Sequence, residues 1–168
     1  MPETRTDTPW LDELEMRAWR SLLRAHSRLV ARLDADLQAS QGMSASDYGV
    51  LVQLSEEEGG RMRMSELADR LLLSPSGLTR RLDGLVSAGL VERRRCPTDR
   101  RGAYAVLTAA GWERLEGAAP DHVEQVRRYF VDRLSREQLA ALADALDEVA
   151  AQCCPPPGEP KRVDCQVT

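Results

Sequence analysis

Residues 74–92 read SPSGLTRRLDGLVSAGLVE, and residues 93–102 continue RRRCPTDRRG. The first stretch is punctuated as a helix: Ser74 is a good cap, Pro75 suits the first helical position, and Gly89 suits the end. At about 100° per residue, Leu78, Leu82, Leu85 and Val86 form one apolar stripe. The opposite face centres on Ser76, Arg80, Asp83 and Ser87, with Thr79 and Arg81 on its flanks. The second stretch is a turn-rich link between two segments of β character, LVERRR and AYAVLT. Upstream, SELADRLLL begins at Ser65 and predicts a helix with Leu67, Ala68 and Leu71 inward. A connection of only about three residues then leads to Pro75, which sets two helices at a steep angle. Helix, helix, helix and β-hairpin in this order predict a winged helix-turn-helix.

The charge of the chain supports a polyanionic partner. Residues 61–103 hold ten arginines against five acids, a local net of +5, whereas the whole chain has a formal charge of -4. A phosphate polyanion responds to the local field and not to the average. Small hydroxyls in the first turn of a helix permit close approach to a major groove, and arginine bonds guanine O6 and N7 bidentately. The free amides from Ser74 to Gly77 suit a phosphate. In the hairpin turn, Asp99, Arg100 and Arg101 exceed what a connection needs. An arginine at a wing tip enters a minor groove, where A·T-rich steps concentrate negative potential. Asp99 does not favour DNA itself; its expected role is to hold an arginine fork in one orientation.

Working outward, Thr8-Pro9 predicts the start of a long helix. Leu11, Leu14, Ala18, Leu22 and further apolar residues recur at steps of three and four until Gly42. Ser44 caps a helix carrying Tyr48, Val50, Leu51 and Leu54 that ends at Gly59-Gly60. Thr108 caps a long helix that Pro120 is expected to kink, and Ser135 with Gln138 forms a capping box for a last one running to Cys153. The expected fold is mainly α with a small β-hairpin wing. Its parts are an N-terminal dimerisation helix over 10–42, a winged DNA-binding domain over 44–108, C-terminal dimerisation helices over 109–153, and a disordered tail over 154–168.

Other chemistries are poorly served. Cys96, Cys153, Cys154 and Cys165 have no C-x-x-C spacing, and with His26 and His122 as the only histidines no metal site is expected. No cofactor motif, phosphate-cradling glycine loop or G-x-S-x-G is present, which argues against an enzyme. No apolar run approaches the roughly 20 residues that span a bilayer, and the polar start MPETRTDTP is not a secretory signal. A cytoplasmic location with four free thiols is expected.

The stretch RMSELADRLLLSPSGLTRRLDGLVSAGLVERRRCPTDRRGAYAVLTAAG resembles the winged-helix core of MarR-type (multiple antibiotic resistance) transcription regulators, with flanking helices that match that layout over roughly 10–152. The resemblance implies a homodimer whose first and last two helices interlock, recognition helices in successive major grooves and wings in flanking minor grooves. It assigns Ser74, Ser76, Thr79 and Arg80 as groove contacts and Asp99 with Arg101 as the wing pair; Ser65, Arg81 and Arg100 complete the expected DNA-contact set. The sequence departs from the family pattern at Arg81, often aliphatic, at Gly84, often charged, and at Cys96, often aspartate. Gly84 costs the helix about 1 kcal/mol relative to alanine.

A dimer is expected without the family as well. The outer helices carry apolar stripes too long for the winged domain to cover, and a second copy related by two-fold symmetry would bury them. Leu11, Leu14, Leu139, Leu142 and Leu146 are the expected seam, and a symmetric dimer reads a pseudo-palindromic operator in double-stranded DNA. The resemblance further implies a pocket for a small aromatic or anionic effector between the dimer helices and the winged domain, to which Trp19, His26 and Tyr48 are assigned. The expected function is a repressor of nearby genes relieved by such a molecule. Two alternatives stand beside it: a winged helix used as a protein-docking module, and a redox-responsive regulator acting through Cys96. Peroxide sensors of this family that use an N-terminal thiol match poorly, since no cysteine precedes Cys96.

Overall fold

The computed structural model describes residues 8–96 and 102–153. Helix α1 (Glu13–Gln41) starts at Asp12 and not at Thr8. The Asp12 carboxylate accepts the Glu15 N–H at 2.8 Å, and Glu15 Oε2 accepts the Asp12 N–H at 2.8 Å. This reciprocal box satisfies two amides at once, where a threonine cap satisfies one. At the other end Gly42 takes φ +60° and returns its N–H to Gln38 O. Helix α2 (Ala45–Ser55) is capped by Ser44, whose hydroxyl accepts the Asp47 N–H.

After α2 the chain makes a short 3-10 turn, Glu58–Gly60, and then a strand that the sequence did not predict, β1 (Arg61–Arg63). Three residues are too few to show a period of two, and what places β1 is the pair of glycines before it. Gly59 and Gly60 have φ of +69° and +63°, and a Cβ on Gly60 would lie 3.2 Å from both Leu107 Cβ and Trp112 Cζ2. With β2 (Val91–Arg95) and β3 (Ala103–Leu107), β1 forms an antiparallel sheet of order β1-β3-β2 in place of a bare hairpin. Residues directly opposite share a face. Met62 pairs with Ala105 and Val91 with Leu107 on the buried side, whereas Tyr104 lies between Arg63 and Arg94 on the other.

Helix α3 (Met64–Arg70) is shorter than SELADRLLL implied, and Ser65 sits inside its first turn without capping it. Leu71 leaves the helix half-buried, and Leu72 adopts φ +52° with 80% of its surface exposed. A left-handed leucine costs roughly 1–2 kcal/mol, which the backbone bonds closing the turn offset: the Leu72 N–H donates to Asp69 O at 3.1 Å and the Leu73 N–H to Ala68 O at 2.8 Å. Helix α4 (Pro75–Ser87) follows, with Leu78, Leu82 and Leu85 buried in the same core cluster as Leu51, Leu54 and Leu67. Val86, expected in that stripe, lies at its exposed edge.

Thr108 joins the sheet to α5 (Ala109–Tyr129), donating to Gly89 O at 2.7 Å and accepting the Gly111 N–H at 3.0 Å. α5 continues uninterrupted through Pro120, and α6 (Arg136–Cys153) follows a 3-10 turn. Ser135 and Gln138 form the expected box: the Ser135 N–H donates to Gln138 Oε1 and the Gln138 N–H to Ser135 Oγ. The core lies between α2, α3, α4, the sheet and the start of α5. Leu37 is the single buried residue of α1, and α6 buries none.

Candidate nucleic-acid interface

α4 presents its polar face outward because its leucine stripe is committed to the core. Ser74, Ser76, Thr79 and Arg80 are all exposed on it, and Ser65 is exposed on α3. Ser74 Oγ accepts the Gly77 N–H at 3.1 Å and lies 3.2 Å from Ser76 Oγ, so the first turn is an ordered group of small hydroxyls beside a helix N-terminus. Thr79 Oγ1 donates to Pro75 O at 2.8 Å. Its one hydrogen is thereby used, and lone pairs and a methyl remain for an external partner. Arg80 has no hydrogen bond or ion pair among the described residues, so its five donors are available.

Arg81 is placed differently from its neighbour. It is half-buried, and its Nη1 lies 3.4 Å from Asp47 Oδ1 on α2, which ties α4 back to the body of the domain. Asp99, Arg100 and Arg101 lie outside the described residues. The base of that hairpin is described. There Arg61 and Arg63 stand 5.9 and 5.5 Å from the Tyr104 ring centroid, and Arg63 Nη2 lies 3.9 Å from Cys96 Sγ. The Cys96 thiol is 4% exposed, held behind this stack and away from solvent reactants.

One contact was not singled out in the sequence. Arg93 of β2 places Nη1 2.8 Å from Asp83 Oδ1 and donates through Nη2 to Thr79 O at 2.8 Å, bridging the wing strand to the middle of α4. A signal existed: Arg93 is two residues from Val91, hence on the buried side of the strand facing α4. Its outward neighbour Arg94 instead pairs with Glu92.

The three residues expected to line a pocket are not brought together within one chain. Tyr48 is buried, its ring 4.6 Å from that of His122 on α5. Trp19 and His26 are exposed on α1. They precede Asp34, the residue whose carboxylate binds the Ala45 N–H, by roughly 22 and 12 Å of helix axis. An open cavity of ≈ 450 Å³ lies elsewhere, between α1 and α5, lined by Arg32, Asp36, Gln125, Arg128 and Tyr129 among others. Tyr129 donates to Asp36 Oδ2 at 2.7 Å and accepts from Arg32 Nε at 3.1 Å, so this groove is largely self-satisfied. The buried atoms left without a partner among the described residues are His122 Nδ1 and Gln125 Oε1.

Burial holds the His122 imidazole below its ordinary pKa of 6.5. The unfolded chain therefore takes up the proton first, so this contribution to stability is complete above pH 6.5 and declines as the pH falls below it. Thermal unfolding from pH 7 to 5 is expected to show a drop in Tm that is smaller in His122→Gln. Equal slopes in the two proteins would contradict the assignment.

Among the described residues, no helix is long and apolar enough to cross a membrane and no cluster of candidate metal ligands occurs. The family model described as MarR family matches residues 41–102. The chain is similar in structure to AbsC, a MarR family transcriptional regulator from Streptomyces coelicolor, at 44% identity and a TM-score of 0.82, covering 87% of this chain and 98% of that one. It is likewise similar to Sco3205 of the same organism, a MarR family regulator solved in complex with DNA, at 39% identity and a TM-score of 0.83, covering 88% and 96%. Among curated proteins it is 33% identical over 88 residues to the transcriptional repressor YetL of Bacillus subtilis, a match that spans about half of each chain, 52% and 53%.

Proposed function

Because the chain belongs to the MarR family of transcriptional regulators, we propose that it binds double-stranded DNA as a homodimer and represses nearby genes until a small aromatic or anionic molecule releases it. The observation that carries the reading is the outward face of α4, where Arg80 stands exposed, and unpaired among the described residues, beside small hydroxyls at a capped helix N-terminus. Such a face enters a major groove with Arg80 toward a guanine and the lone pairs and methyl of Thr79 toward an amino group or a thymine methyl. The relative solved with DNA and the relative named a repressor favour the same use.

In this reading residues 44–108 are the DNA-binding unit, and the helices over 10–42 and 109–153 form the dimer. The uncovered apolar surface supports it: Leu11 is 49% exposed, Leu14 63% and Leu146 38%, Leu139 and Leu142 are half-buried, and α6 has no buried residue. Tyr48 is the intrachain member of the effector site, and Trp19 and His26 meet the same molecule only across the dimer. Ser65, Ser74 and Ser76 hold phosphates or base edges at the mouth of the groove. Arg81, engaged by Asp47, acts by fixing α4. Arg100, and Arg101 oriented by Asp99, reach the minor groove.

Selection of duplexes from a random-sequence pool by the purified chain supplies the operator. On it, Arg80→Ala is expected to lose about 1–3 kcal/mol and the preference at one base pair per half-site. Arg101→Ala is expected to weaken binding mainly through flanking A·T steps and to lessen the salt dependence. Wild-type affinity in both variants would overturn the interface and favour a protein-docking role for the winged domain.

A further inference from the structure

Asp83 occupies an awkward place. It is a carboxylate with 60% of its side chain exposed, on the face of α4 proposed to enter DNA, three residues after Arg80. Side chains three apart on a helix are neighbours, and an aspartate so placed pairs with an arginine. Left to itself, Asp83 would take the Arg80 guanidinium and present a negative charge to the phosphates. Among the described residues Arg80 is nevertheless unpaired, and Asp83 is instead held by Arg93 from β2 at 2.8 Å. The fork of Arg93 is fixed at a second point, donating to Thr79 O at 2.8 Å, and its side chain is only 33% exposed. A guanidinium bound at two points on a rigid strand has little freedom left to lose and gives a fixed direction to the carboxylate.

We propose that Arg93 is a positioning residue for DNA reading: by engaging Asp83 and the Thr79 carbonyl, it keeps Asp83 from capturing Arg80 and leaves Arg80 to the base. The same contact joins the wing strand to α4, so that the two DNA-reaching elements dock in a fixed relation. The inference rests on the groove reading of α4 given above, and it assigns that reading a residue that touches no base.

The test uses the full chain and duplexes selected by the wild type, with base preference measured at every position. Arg93→Ala is expected to bind the selected duplex about tenfold more weakly and to lose preference at the same base pair as Arg80→Ala. Its deficit should narrow as salt rises, because the unmasked Asp83 charge is exposed and screened. The distinguishing result is rescue: Arg93→Ala with Asp83→Asn should regain the base preference, since nothing remains to capture Arg80. A purely structural contact is not repaired by deleting its second half. Asp83→Asn alone should keep the wild-type preference, and a loss of preference there would overturn the proposal even if Arg93→Ala folds poorly. Loss of preference in Arg80→Ala with wild-type reading in Arg93→Ala, or a double variant no better than Arg93→Ala, would overturn this proposal alone. Wild-type reading in both single arginine variants would overturn the groove reading of α4 and this proposal with it.

Discussion

Replacing Gly111 by alanine is expected to destabilise the protein by about 3 kcal/mol, although the position is the first turn of a helix, where alanine is ordinarily the better residue. The reason is close approach. A Cβ at Gly111 would stand 2.2 Å from Leu90 O and 2.7 Å from Leu107 Cδ1. The leucine side chain is able to yield, but Leu90 O is backbone and accepts the Thr108 N–H at 3.1 Å, so relief requires moving the start of β2, the end of β3 or α5. A loss of this size lowers Tm by about 6–12 °C in a chain of this length. Gly117→Ala on the same helix is the control. Its Cβ meets nothing within 4 Å, and it is expected to be stabilising by about 0.5–1 kcal/mol. Denaturant unfolding of the two variants checks the pair, and equal behaviour would show that the sheet and α5 are not locked at this point. The lock has a functional side: it fixes the direction in which the C-terminal helices leave the winged domain.

What was legible in the sequence was local. Ser44, Ser74 and Thr108 each cap the helix expected of them, because a cap is settled by atoms within three residues. The α4 stripe followed from a period of 3.6, and both strands of the hairpin from β-like segments flanking a turn-rich link, all within short windows. The failures share a cause of the opposite kind. β1 depends on Gly60 fitting beneath Leu107 and Trp112, some fifty residues away in the chain, and shows no period of its own. The start of α1 was misplaced because Thr8-Pro9 and Asp12 both look like caps, and the reciprocal bond from Glu15 decides between them. Arg80, Arg81 and Arg93 are indistinguishable as letters. Asp47, 34 residues from Arg81, ties that side chain back, and Asp83 with Thr79 takes Arg93, so that Arg80 is left available for an outside partner. Trp19, His26 and Tyr48, assigned to a pocket that the family resemblance implies, stand apart within a single chain.

Replacing Leu142 by arginine is expected to convert the protein to monomers and to reduce operator binding by about a hundredfold or more, while the winged domain keeps its fold. Leu142 lies midway along α6, a helix that buries no residue within its own chain yet carries Leu139, Leu142, Leu146 and Val149 at helical spacing. On α1, Leu14, Leu22, Leu23 and Val30 are exposed as well, spread over about half of the helix circumference. An apolar stripe of this extent on two helices is stable in water only when covered, and two-fold pairing covers both at once. A guanidinium placed in that seam must be buried without a counter-ion, which costs several kcal/mol per interface and appears twice in a symmetric dimer. The winged core is insulated from the change, because none of its buried residues comes from α6. Operator binding is not insulated. In the proposed dimer two recognition helices about one helical turn apart engage half-sites near 10 base pairs apart, and a monomer keeps the contacts of one half-site while losing the second as an intramolecular event. Light scattering should return 18.7 kDa for the variant and twice that for the wild type, with circular dichroism unchanged over the winged-domain transition. A variant that remains dimeric would move the seam off α6. A wild type that is monomeric at micromolar concentration and still holds a single half-site tightly would mean that the exposed stripes of α1 and α6 serve a different partner.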